Sequence, residues 1–258
     1  MRVVDLDRDM SDVIPTGTTL DSQFLFDRMT AETLALAEPA PGRRLLDVAS
    51  GFGQDAVALA RRGAEVVALE PSARMTNWAR LVGDRGPGPL PRWVRGWSDA
   101  LPFASQRFDA VICKGAIDHF DRPERAIAEM ARVTRPGGRV VLAIANFESL
   151  ACRLARLADA LPFQGAPRRG RRHYDVPADH FTRYDLALMR EQASRSLRLE
   201  VVRGISLGWG LSLWARAVQR LPEAIARRAL QLLDAGARRA PLLADVVVLA
   251  GRPRASSR

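Results

Sequence analysis

Between residues 43 and 144, short apolar runs alternate strictly with segments of helical period, and that alternation leaves few architectures open. Residues 43–48 form an apolar run, residues 54–62 have helical spacing that stops at Gly63, and residues 65–70 are a β-branched run. Ser72 stands where an N-cap would open a helix reaching Leu81, which a Pro/Gly cluster over residues 83–91 then breaks. Strands are expected at 92–95, 108–113 and 139–144, the last two separated by a helix over 123–133. Strands this apolar, spaced by helices, belong to a parallel sheet covered on both faces. The expected fold is therefore α/β and doubly wound.

Beyond Asn146 the pattern changes. Residues 147–161 read as helix, and residues 162–177 as a loop carrying Arg168, Arg169, Arg171 and Arg172. Helical spacing resumes over 184–193, residues 197–207 alternate like a strand, and residues 244–250 are a last apolar strand, which brings the sheet to seven strands. Residues 211–240 read as two amphipathic helices interrupted by Pro222, with Leu213, Trp214, Ala217, Val218 and Leu221 on one face. The expected organisation is an N-terminal helical cap over 1–42, a core over 43–250 with insertions near 147–182 and 208–243, and a frayed basic tail over 251–258. In the cap, residues 20–33 place Phe24, Phe26 and Met29 on one apolar side.

The net charge of +10 is entirely C-terminal. Residues 1–150 hold 18 arginines and one lysine against 20 acidic groups, whereas residues 151–258 hold 20 arginines against nine. Lys114 is the only lysine. Such a basic half suits a solvated face first, and otherwise an anionic acceptor, a carrier or a membrane surface. No run approaches the ~18 apolar residues of a membrane span, and the first 30 residues lack the basic start and apolar core of a signal peptide. A cytoplasmic protein is expected. Cys113 and Cys152 alone make neither a disulfide framework nor a zinc site.

Chemistry concentrates in Leu45-Leu46-Asp47-Val48-Ala49-Ser50-Gly51-Phe52-Gly53-Gln54-Asp55. A strand ends in a carboxylate, a glycine-bearing turn follows, and a helix opens with free N–H groups toward a ligand. Gly51, Gly53 and Ala56 also satisfy the relaxed dinucleotide pattern G-x-G-x-x-A, so an NAD-type oxidoreductase stays open on this turn alone. Glu70 ends the second strand about 20 residues after the glycines, where a carboxylate can accept from both ribose hydroxyls.

Three further segments follow in order: Gly96-Trp97-Ser98-Asp99-Ala100-Leu101-Pro102-Phe103, Phe108-Asp109-Ala110-Val111 and Arg135-Pro136-Gly137-Gly138-Arg139-Val140. With the glycine turn they resemble class I S-adenosylmethionine-dependent methyltransferases of the small-molecule branch, similar to ubiquinone-biosynthesis-type enzymes. The resemblance covers residues 43 to about 146 and implies a Rossmann-like fold with S-adenosylmethionine as cofactor and S-adenosylhomocysteine as product. It implies that Asp47, Ala49, Ser50, Gly51 and Gly53 surround the methionine moiety, with Glu70, Pro71 and Met75 on the ribose side. Trp97, Ser98 and Asp99 match the segment lining the adenine edge, and Lys114 starts the turn bordering cofactor and acceptor. Ala49 replaces the usual first glycine of the motif, and Trp97 stands where the family commonly has Asp.

A sulfonium methyl is already activated, so a base is needed only when the acceptor loses a proton. His119, just past the fourth strand, is the expected base; Asp118 beside it is a poorer one, and His173, Tyr174 and His180 belong to a cap over the acceptor. The acceptor expected is small or lipid-like, of natural-product type, with Phe147, Leu150, Phe163 and Phe181 facing it. Nucleic acid is not expected, because neither an Asn-Pro-Pro-Tyr-like motif nor an RNA-binding module is present. A protein of the same fold that binds the sulfonium without transferring its methyl is the alternative.

Overall fold

The computed structural model describes residues 19–83, 86–160, 172–176 and 180–254. Its elements are α1 (Leu20–Ala37), β1 (Arg44–Val48), α2 (Gln54–Ala60), β2 (Glu65–Leu69), α3 (Ala73–Gly83), β3 (Arg92–Val94), β4 (Phe108–Lys114), α4 (Pro123–Val133), β5 (Thr134–Ala145), α5 (Leu150–Asp159), α6 (Leu186–Ser196), β6 (Leu197–Ile205), α7 (Ser212–Arg220), α8 (Glu223–Arg239) and β7 (Val246–Pro253). The seven strands form one sheet in the order β3-β2-β1-β4-β5-β7-β6. Strands β1 to β5 run parallel to one another, and β7 is antiparallel to both β5 and β6.

Alternate strand residues divide between two cores, as the two-residue period of a strand requires. On one face Leu46, Val48, Val111, Cys113, Leu142 and Ile144 pack against Ile127 and Met130 of α4 and Met189 of α6. On the other, Leu45, Val66, Ala68, Ile112 and Val141 meet Leu25, Met29 and Leu34 of α1 and Leu59 of α2. The N-terminal helix is thus a covering layer of the sheet. Phe26 is 40% exposed while Met29 is buried, which corrects the single apolar side expected for Phe24, Phe26 and Met29. Residues two apart in a helix lie on different faces, and Phe24 instead packs against Val218 of α7 and Leu230 of α8.

Two boundaries differ from the sequence reading. β5 begins at Thr134 rather than at residue 139, because Thr134 pairs with Phe108 before a register shift carries the strand past Gly137 and Gly138. β7 continues to Pro253, and Arg254 donates through N–H to Ser196 O and through Nε to Ser194 O, so ordered chain extends into the expected tail. Phe163 and the loop arginines Arg168, Arg169 and Arg171 lie outside the described residues.

Candidate active site at the switch point of the sheet

The strand order reverses between β1 and β4, and ligands of open α/β sheets bind beyond the carboxyl ends of strands at such a point. The turn after β1 holds residues 49–53; the segment after β4 holds Gly115 and a single 3-10 turn over Ile117–His119.

The first turn is built on left-handed backbone. Ala49, Gly51 and Gly53 have φ of 56°, 54° and 71°, a region that favours glycine. Ala49 therefore keeps the conformation of the glycine it replaces. At Gly53 a Cβ would lie 2.1 Å from Cη2 of Trp93, so the indole closes this end of the turn. Ser50 N–H donates to Leu69 O, and Gly53 N–H to Ser50 O, which ties the turn to the end of β2.

Glu70 completes that tie. Its carboxylate accepts from Gly51 N–H and Ser72 N–H, each at 3.0 Å, and burial raises its pKa above the usual carboxylate range while those two donors lower it. Ser72 is the expected N-cap, accepting from Met75 N–H at 3.2 Å. Met75 is buried and its Cε lies 3.5 Å from the position a Cβ on Gly51 would take. Pro71 O accepts from the Arg95 guanidinium.

Charge at this crevice is unbalanced. Asp47 is 3% exposed, and burial, followed by the neighbouring Asp55 and Glu70 charges, pushes its pKa well up against the opposing pull of Lys114. Lys114 Nζ sits 2.8 Å from Asp55 Oδ2 and donates to Thr30 Oγ1 at 2.6 Å. Asp47 thus feels two neighbouring carboxylates, Asp55 and Glu70, against one lysine that is itself paired with Asp55. Asp47 Oδ2 and Ser50 Oγ are buried without hydrogen-bond partners. A cationic ligand would relieve this surplus, whereas the dianionic pyrophosphate of a dinucleotide would increase it. The orphaned Asp47 oxygen and the surplus negative charge fit the ammonium and sulfonium of S-adenosylmethionine.

The adenine segment lies farther along the edge. Trp97 is half-buried and bridged to Ala100, Ser98 is half-buried, and Asp99 is buried with its carbonyl held by Arg125 Nε at 2.9 Å.

On the acceptor side the structure gathers residues that are distant in sequence. His180 Nδ1 lies 2.9 Å from Asp118 Oδ2, and the His119 and His180 rings meet edge to face at 4.2 Å. Phe181 and Thr182 both donate N–H to Asp118 O, and Phe147 stands edge to face with His180 at 6.3 Å. His173 and Tyr174 are held elsewhere, against α5, where Tyr174 Oη donates to Asp159 Oδ2. Phe181 is 40% exposed and Leu150 half-buried. Sequence reasoning missed Asp55, Thr30 and the joining of His180 to Asp118. Two signals were available: the singularity of Lys114, and the tripeptide Asp-His-Phe, which occurs at 118–120 and again at 179–181.

Fold and turn together define a Rossmann-like domain for a nucleoside-bearing cofactor. Residues 46–142 match the methyltransferase domain family. Over those residues the chain is similar to methyltransferase domains, in line with the resemblance carried by its glycine turn. Among curated relatives, the demethylmenaquinone methyltransferase of Renibacterium salmoninarum is 43% identical over 103 residues, 40% of this chain and 41% of that one. The chain thus spans about two fifths of that relative's length. Two solved structures share the fold: magnesium protoporphyrin IX methyltransferase from Synechocystis with bound S-adenosylhomocysteine (TM-score 0.61, 13% identity, 93% and 90% of the two chains) and the 4+2 cyclase SpnF (TM-score 0.59, 20% identity, 88% and 80%).

Proposed function

We propose that this chain transfers the methyl group of S-adenosylmethionine to a small organic or lipid-like acceptor, of the kind found among natural-product intermediates. The observation that carries the proposal is the charge surplus around Asp47 at the switch point, where the Asp55 and Glu70 carboxylates act on it against the single Lys114. When bound, the cofactor supplies a methyl carbon already activated by sulfonium charge. The chain's own residues then have three tasks: Asp47 and the 49–53 turn hold the methionine end, Glu70 fixes the ribose, and Trp97, Ser98 and Asp99 border the adenine. Pro71 and Met75 close the ribose side.

The acceptor is assigned to the space beyond β4 and β5, beside Phe147 and the Asp118, His119 and His180 cluster. His119 is the proposed base for an acceptor that must lose a proton. Its replacement by Asn should lower methyl transfer to such an acceptor by roughly 10²-fold, leaving cofactor affinity unchanged. The arginine-rich C-terminal part suits an anionic group, a carrier or a membrane surface, and no helix among the described residues is long and apolar enough to cross a membrane. The demethylmenaquinone methyltransferase relative supports a lipid-like acceptor. The likeness to a cyclase keeps a second reading, in which the bound sulfonium promotes another reaction.

Incubation of the chain with methyl-labelled cofactor and fractionated extract separates these readings. Label in a small-molecule or lipid fraction is the expected result. Label in RNA or peptides alone would overturn the acceptor class, and no label despite cofactor binding would favour the second reading.

A further inference from the structure

The acceptor side holds a group of side chains that methyl transfer by itself does not require. Asp118, His119 and His180 each offer one ligand atom, and these atoms all lie within 4.8 Å of one another. Two come from the 3-10 turn after β4 and one from the segment preceding α6, so the group joins two parts of the chain across the carboxyl edge of the sheet.

Asp118 is the informative member. It is 3% exposed, and its Oδ1 is buried with no hydrogen-bond partner. Among the described residues no arginine or lysine pairs with it; the charged contact is His180. That contact is close without being an aligned hydrogen bond: Nδ1 lies 2.9 Å from Oδ2, yet the ring nitrogen finds no acceptor along its own direction. Burying a carboxylate in this way is costly unless a cation completes it.

We propose that Asp118, His119 and His180 form a binding site for one divalent transition-metal ion of the zinc and cobalt class. Two imidazole nitrogens with one carboxylate oxygen suit these borderline cations, whereas magnesium and calcium require oxygen donors. Three protein ligands leave at least one coordination position open, as in catalytic rather than structural sites. Phe147 stands edge to face with His180, so an acceptor oxygen or nitrogen taken up at such a position would have an apolar ring nearby for its body. A hydroxyl bound there loses its proton to solvent at lower pH, because the cation stabilises the resulting anion. With the cation present His119 is a ligand, and the acidity of the bound acceptor replaces its role as base.

Binding of the ion does not depend on the methyl-transfer reading, and the test uses the metal alone. The untagged full chain, stripped with chelator, is titrated with Co²⁺ and followed by visible absorption and calorimetry, with Mg²⁺ at about 1 mM as competitor. One Co²⁺ per chain is expected, displaced by Zn²⁺ and indifferent to Mg²⁺. Asp118→Asn and His180→Ala should each weaken binding by about 10²-fold, while His173→Ala, which alters the histidine held against α5, should leave it unchanged. Should Asp118→Asn fail to fold, His180→Gln at a half-buried ring carries the test. Absence of Co²⁺ binding to a chain that still binds S-adenosylhomocysteine overturns the site and leaves the methyltransferase reading intact. An equal loss in His173→Ala and His180→Ala would overturn it as well.

Discussion

Replacing Asp47 by Asn tests whether this carboxylate is kept for a ligand or for the fold. The amide retains the size of the side chain and an oxygen for the Ala56 N–H, and removes one of three buried negative charges. In the unbound chain, Asp47 carries an orphaned Oδ2 and faces Asp55 and Glu70 with only Lys114 opposing. Relief of that arrangement should raise unfolding stability by about 1–3 kcal/mol. A cationic ligand, by contrast, loses a charge-assisted hydrogen bond worth about 1.5–3 kcal/mol, which raises its Kd by about 10- to 150-fold. Stability and affinity therefore move in opposite directions, as expected where a site is strained for function. The pH dependence follows from the sign of the shift. A carboxyl whose pKa is higher in the folded than in the unfolded state stabilises the fold at low pH, and this is lost as pH rises from about 4 through the folded value. The ligand favours the ionised form, so its affinity should rise over the same window, and both trends should flatten in Asp47→Asn. Urea unfolding and calorimetry with S-adenosylhomocysteine across pH measure the two. A variant that is less stable yet binds the ligand as tightly as the parent would make Asp47 a capping group only.

Glu70→Ala should weaken S-adenosylhomocysteine binding by about 1.5–3 kcal/mol through loss of a charge-assisted bond to the ribose; unchanged affinity in a folded variant would remove Glu70 from the site. Gly53→Ala adds a Cβ against the Trp93 ring at a φ of 71°. It should cost about 2–4 kcal/mol in chemical unfolding, of which Trp93→Ala in the same chain recovers the clash but not the backbone strain. Asp245, which accepts from Trp209 N–H, is pushed up to about 6 by burial. The wild-type chain should therefore lose stability as pH rises from about 4 to 6, and Asp245→Asn should abolish up to about 3 kcal/mol of that loss, as read by urea midpoints.

The sheet was legible because its strands are continuous apolar runs separated by helices of the right length, and burial on both faces demands that pattern. The pattern also locates to within a residue the ends of β1 and β2, beside which Asp47, the Gly51 and Gly53 turn and Glu70 stand. The start of β5 was not legible. Arg135-Pro136-Gly137-Gly138 reads as a turn, and only pairing of Thr134 with Phe108 draws it into the strand. Nor was the outward position of Phe26, since α1 is apolar on more than one side and tertiary packing decides which side is covered. The Asp118, His119 and His180 cluster depends on a contact across 62 residues of sequence, with no local periodicity to announce it.

Calorimetry of the purified chain with S-adenosylhomocysteine and, in parallel, with NAD tests the central claim most directly. The charge surplus around Asp47 and the ribose contact proposed for Glu70 predict one molecule of S-adenosylhomocysteine per chain, with no heat from NAD. Binding of NAD in preference to S-adenosylhomocysteine would contradict the account, because a crevice that welcomes a pyrophosphate cannot be the one described by Asp47, Asp55 and Glu70.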